Sequence, residues 1–181
     1  MKVAFIGTHG VGKTTLCYDL AAILKRRDVS VDMVKEVARM SPLPVNQKTS
    51  LDAQTWILMT QVAEEIRSGA HHQVVVCDRS VLDNYAYMLL ACGRQRAFET
   101  LCRHWMKTYD CLFKVPISGQ ASADGFRDTD EFFMRAIDRL VDELLDRFKL
   151  PCERLAAADR ESWAATAGDV VLKSPRARAL F

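Results

Sequence analysis

Short apolar runs alternate along this chain with longer stretches in which apolar positions recur every three or four residues. Residues 1–6 (MKVAFI), 29–34 (VSVDMV), 74–77 (VVVC) and 111–115 (CLFKV) are brief and largely apolar, and each predicts a strand. The third has no polar interruption, which suits a strand covered on both faces. A short fifth strand is expected at 152–155, after Pro151. Between these runs, residues 16–26, 51–68, 81–91, 94–107 and 130–148 predict helices, with Gly69, Gly93 and Pro151 as stops. The clearest stripe is Phe133, Ile137, Leu140, Val141, Leu144, Leu145 and Phe148, and Asp128 with Glu131 makes a capping-box-like start to it. Residues 157–166 are alanine-rich and predicted helical, whereas 168–181, with Lys173, Arg176 and Arg178, show no period and read as a surface tail. Strand and helix in alternation predict an α/β protein, a three-layer α/β/α fold with a mostly parallel five-stranded sheet.

The junction of the first strand and first helix carries the strongest chemical signal. GTHGVGKT, Gly7 to Thr14, fits the phosphate-binding loop pattern G-x-x-x-x-G-K-[ST] without a gap. Backbone N–H groups of Gly7, Thr8, His9, Gly10, Val11, Gly12 and the following Lys13, Thr14 and Thr15 can converge on a polyphosphate, with the positive end of the helix dipole behind them. Lys13 is expected at the outer phosphates and Thr14 at a magnesium ion. His9 occupies a free position of the pattern and is read as a filler.

Other candidates follow from where a strand ends, because side chains beyond the carboxyl ends of strands face the ligand crevice of an open α/β sheet. Glu36 and Arg39 follow the second strand and are candidates for holding a second substrate. Asp78 and Arg79 follow the third. Asp78 is expected to serve the metal or to accept a proton from an attacking hydroxyl, and Arg79 to neutralise a developing phosphoryl charge. Gln54, Trp56 and Tyr85 are weaker candidates for framing the acceptor pocket. Residues 116–128 (PISGQASADGFRD) form a long loop of small and polar residues, read as a lid with Arg127 poised over the transferring phosphate.

Composition narrows the picture further. At 181 residues, 49% of them hydrophobic, the chain reads as one domain with a full core. A formal charge of +2 gives no reason to expect broad electrostatic binding to nucleic acid, and no apolar run is long enough to cross a bilayer, so no membrane association is expected. The six cysteines are widely spaced and read as reduced, packed thiols of a cytoplasmic protein, and His71 and His72 as part of a polar turn.

GTHGVGKTT, then KEVAR after the second strand, then VVVCDRSVLDNYAY at the third, resembles the nucleoside and nucleotide kinase branch of phosphate-loop proteins. The likeness is greatest to the nicotinamide riboside kinase domain of bifunctional NAD-regulating proteins and to relatives grouped with AAA-type ATPases. It covers the chain to about Pro151. By position it implies ATP and Mg2+ at Lys13 and Thr14, an acidic residue before arginine at Asp78, an acceptor-binding arginine at Arg79, an E-x-A-R element at Glu36 and Arg39, and a lid arginine at Arg127. Many such relatives carry two or more lid arginines, and this chain carries one.

The reading that results is an ATP- and Mg2+-dependent kinase passing the γ-phosphoryl group to a nucleoside- or nucleotide-like small molecule. One alternative places the acceptor hydroxyl on a modified base or an end of DNA or RNA. Another is a regulatory switch that hydrolyses ATP, or GTP, without an acceptor; the guanine-reading N-K-x-D element is absent, which counts against the GTP version.

Overall fold

The computed structural model describes residues 1–117 and 131–178. Five strands, β1 (Lys2–Ile6), β2 (Val31–Val34), β3 (Val74–Asp78), β4 (Cys111–Lys114) and β5 (Glu153–Arg154), form one sheet in the order β2-β3-β1-β4-β5. Every pairing is parallel. Parallel neighbours need crossovers, and the long helices supply them: α1 (Lys13–Lys25), α2 (Leu51–Gly69), α3 (Val81–Cys92), α4 (Arg96–Trp105) and α5 (Glu131–Phe148), followed by α6 (Trp163–Lys173) and the short α7 (Pro175–Arg178).

Alternation along the strands divides the core in two. Val3, Phe5, Val74, Val76 and Phe113 face Leu16, Leu20 and Leu24 of α1 and Trp163, Ala167 and Val171 of α6. Ala4, Ile6, Val75, Cys77 and Leu112 face Leu58, Leu82, Tyr85, Ile137, Val141 and Leu144 from α2, α3 and α5. With both faces covered, strands β1 and β3 are apolar almost throughout, and the three-layer α/β/α fold expected from the alternation is present.

Element edges depart from the expectation in physically readable ways. The second strand starts at Val31, β5 is two residues long, and residues 157–162 form a 3-10 turn before α6 begins. Residues 168–178 are a correction to the surface-tail reading. Trp163, Ala167 and Val171 make a stripe at spacings of four that crosses position 168, and α6 packs it onto α1. Gly168 sits where a Cβ would come 3.3 Å from Ile23 Cγ2, and Ala177 of α7 is also buried. Most of the loop read as a lid, with Arg127 and the Asp128 cap, lies outside the described residues. Among the described residues no helix is long and apolar enough to cross a membrane.

Candidate functional site

All the strands end toward the same edge of the sheet, so Gly7, Glu36, Asp78 and Arg79 arrive there from β1, β2 and β3. The phosphate-binding loop leaves β1 at Gly7, whose backbone has φ +130°. A Cβ there would stand 2.8 Å from the Val115 carbonyl oxygen, so only glycine lets the loop pass β4 this closely. Gly12 then opens α1, and its first turn contains no acidic side chain to compete with a bound anion.

Within the loop Lys13 is buried, and its ammonium donates to the carbonyl oxygens of Gly7, at 3.0 Å, and Thr8. Burial first, then the nearby Arg79, lowers its pKa to about 8. A triphosphate would add negative charge beside that ammonium, reinforcing the pull of Asp83, Asp78 and Glu36. Thr14 Oγ1 donates to Asp78 Oδ2 at 2.5 Å, so the hydroxyl and carboxylate expected at a magnesium ion are already side by side. Burial raises the Asp78 pKa, against the opposing pull of Lys13 and the Thr14 hydrogen bond. A cation bound there would hold the carboxylate ionised. Among the described residues no group of three His, Cys, Asp or Glu forms a protein-only metal cage. The donor set instead matches magnesium, which takes few protein oxygens and completes its shell with water and substrate phosphates.

Beside the loop, Arg79 Nε and Nη2 reach Glu36 Oε1 at 2.8 and 2.7 Å, with both side chains almost fully buried. Glu36 Oε2 also accepts from Arg39 Nε at 3.0 Å. Burial opposes ionisation of Glu36, but Arg79, Lys13 and the two arginine hydrogen bonds outweigh it and hold the pKa at about 2. Arg79 adopts φ +89°, a conformation disfavoured for a side chain of this size, and its buried Nη1 has no hydrogen-bond partner among the described residues. Backbone strain and an orphaned donor on one residue mark a site shaped for something other than stability.

Two neighbouring cavities share the His9, Glu36 and Arg79 lining. One is polar and holds Gly10, Gly12, Lys13, Thr14 and Asp78. The other is more apolar, with Ala38, Val45 and Ile57 alongside Gln54, Asn84 and Tyr87. Gln54 Oε1 and Asn84 Nδ2 are buried and unpartnered among the described residues. One offers an acceptor and the other a donor.

The sequence candidates therefore divide. Gly10, Gly12, Lys13, Thr14, Glu36, Gln54, Asp78 and Arg79 line these cavities, and Arg39 joins through Glu36. Thr8 is buried at the loop, and Thr15 is exposed on α1. Trp56 is absent from the lining and packs against the core on the α2 side. Tyr85 likewise points into the core, where its hydroxyl donates to Glu99 Oε2 at 3.2 Å. The side chain two residues on is the one that reaches the site: Tyr87 OH lies 2.8 Å from His9 Nδ1, and its ring carries the Arg79 guanidinium 4.8 Å from the centroid. Phe133 of α5 packs on both aromatic rings, with centroids 5.9 Å away in each case. His9 is thus a wall of both cavities, where the sequence reading had it as a filler.

Asp83 and Asn84 also escaped the sequence reading. The signal for Asp83 was present as Ser80-x-x-Asp83, a capping box, and the structure forms it at the start of α3. Asn84 had no such signal, because an asparagine on an amphipathic helix gives no hint of which cavity it lines.

A family model for AAA domains matches residues 2–162. No curated protein matches the sequence significantly. Among solved structures, the deoxyadenosine kinase from M. mycoides with bound dATP is 15% identical with a TM-score of 0.65, covering 94% of this chain and 98% of that one. The thymidylate kinase from Ehrlichia chaffeensis is 16% identical with a TM-score of 0.68, covering 94% and 97%. At such identity the likeness establishes a shared architecture across nearly the whole of each chain. The match over residues 2–162 shows that the chain belongs to the AAA domain family, built on the fold that these two kinases share.

Proposed function

We propose that this protein is an ATP- and Mg2+-dependent kinase whose acceptor is a neutral hydroxyl of a nucleoside-like small molecule. The observation that carries the reading is the Glu36–Arg79 pair, which lines both the phosphate-loop cavity and the more apolar cavity next to it. A phosphoryl group leaving the loop would pass Arg79, whose Nη1 has no hydrogen-bond partner among the described residues, and meet whatever sits beside Glu36.

Charge favours an alcohol over a phosphate as acceptor. Glu36 offsets the charge of Arg79 and would repel a phosphate dianion, so among the described residues the cavity has no cationic excess of the kind a monophosphate demands. A hydroxyl can donate to Glu36. With its pKa near 2, Glu36 stays ionised and orients the nucleophile, taking the proton only as the new O–P bond forms. The products are the phosphate monoester, ADP and a proton. Arg79 Nη1 faces the charge on the equatorial oxygens, and Lys13 and the loop amides hold the departing diphosphate. Thr14 and Asp78 would hold Mg2+, which would offset the negative charge of the nucleotide phosphates. The Gln54 and Asn84 amides suit the donor and acceptor edge of a heterocycle, between the apolar walls Val45 and Ile57.

The second cavity, beside the phosphate loop and lined by Gln54, Asn84 and Tyr87, supports transfer over the regulatory-switch reading, since a switch needs no acceptor site. A mass-spectrometric screen of nucleosides and nucleoside monophosphates with Mg2+ and ATP tests the proposal. A nucleoside gaining one phosphoryl group is the expected result, and ATP hydrolysis unaffected by any of them would refute it.

A further inference from the structure

The carboxylate of Asp83 does more than cap α3. It is wholly buried, and its Oδ1 accepts from the Gly7 backbone N–H at 2.7 Å. Its Oδ2 accepts from the backbone N–H and the hydroxyl of Ser80, both at 2.8 Å. Gly7 opens the phosphate loop, and Ser80 directly follows Asp78 and Arg79. A capping box satisfies only the Ser80 end, so the bond to Gly7, 76 residues away in sequence, is unexplained by helix formation.

We propose that Asp83 is a positioning residue for the transfer reaction, using one carboxylate to fix the phosphate loop at a set distance from the acceptor-side arginine. The inference rests on the kinase reading above. Its physical basis is the Arg79 backbone. A φ of +89° persists only where neighbours over-determine it. Arg79 N–H donates to Phe5 O at 3.2 Å on one side, and Ser80, held twice by Asp83, fixes the other. Phe5 and Gly7 belong to the same strand end, so Asp83 closes a ring joining β1, the Ser80 turn and α3. Opening that ring lets Arg79 relax away from the strained conformation that aims it at the loop. A small displacement of that kind costs rate more than it costs binding.

The test is a cycle of four proteins: native, Asp83→Asn, Arg79→Lys and the double variant. They are assayed with Mg2+, ATP and the nucleoside best used in the screen. Asp83→Asn keeps the side-chain shape and is expected to lower kcat roughly ten- to hundredfold. The KM for MgATP is expected to move by less than about threefold, with the protein folded throughout. Combined with Arg79→Lys, the Asp83 substitution should cost less than about threefold more, because a positioning group has no effect once its target is gone. Equal losses in both backgrounds would overturn the proposal, as would a lowered melting temperature with unchanged kcat.

Should no nucleoside be phosphorylated, the kinase reading fails alone, and the linkage is still readable in 1H–15N NMR. Asp83→Asn is then expected to shift both the Gly7 amide and the Arg79 Nε–H signals, and a Gly7 shift with Arg79 unmoved would refute it.

Discussion

Replacing Glu36 with glutamine separates the charge of this residue from its shape. Glu36 and Arg79 are 8% and 5% exposed, so screening by solvent is slight. The fall in the Glu36 pKa from 4.5 to about 2 corresponds to about 3 kcal/mol of preference for the charged form in the folded state. That agrees with the roughly 3–5 kcal/mol lost when a buried pair is broken from one side. For a chain of this length, about 3 kcal/mol lowers the melting temperature by about 6–12 °C. The sign also fixes the pH window. Because the folded pKa is depressed, the stabilisation is complete above about pH 4.5 and fades as pH falls toward 2. Differential scanning calorimetry of both proteins at pH 7 and at pH 3 measures this. Glu36→Gln is expected to melt well below the native protein at pH 7, with the gap narrowing at pH 3. Melting within 2 °C of native at pH 7 would refute the electrostatic account.

Three further outcomes follow from the same geometry. Gly7→Ala drives a Cβ to 2.8 Å from the Val115 carbonyl oxygen at φ +130°, so a melting temperature lowered by the equivalent of about 2 kcal/mol or more is expected, together with loss of nucleotide binding by fluorescence titration. The Lys13 pKa near 8 should rise when phosphates surround it. Calorimetric titration with ATP in buffers of different ionisation enthalpy is therefore expected to show proton uptake between about pH 8 and 10.5, and affinity that declines as pH rises through that window. Gln54→Ala and Asn84→Ala each remove one unpartnered cavity amide, and the acceptor KM should rise about tenfold while the MgATP KM stays constant; equal changes in both would remove these residues from the acceptor side.

Much of the scaffold was legible because a buried parallel strand leaves a distinctive trace. The run 74–77 and the phosphate loop after residues 1–6 located the central strands and, through them, the phosphate-loop side of the candidate site. The acceptor side was harder, for reasons visible in particular residues. Trp56 and Tyr85 share their helices with Gln54 and Tyr87, and periodicity tells which positions are apolar without telling which of two buried faces meets a cavity. The Ser80-x-x-Asp83 pattern was readable as a cap, but its bond to Gly7 is a long-range contact that no local pattern encodes. The α6 stripe was missed because its three apolar positions straddle the expected helix end at 166 and the residues from 168 onward show no period of their own. Gly168 is a point of close helix packing against Ile23. Arg79 shows the general limit: its sequence context marked it as functional, yet the strain at φ +89° and an Nη1 without a hydrogen-bond partner among the described residues exist only in the folded chain.

The central claim is that a phosphoryl group passes from the Lys13 loop, beside Asp78 and Arg79, to a hydroxyl held at Glu36. Single-turnover incubation of γ-32P-labelled ATP and Mg2+ with the nucleoside found by screening, in the native protein and in Asp78→Asn, tests it most directly. The label should appear on the nucleoside with the native protein and not with the variant, which stays folded. Label released by the native protein only as inorganic phosphate, or transfer that survives in Asp78→Asn, would contradict the account.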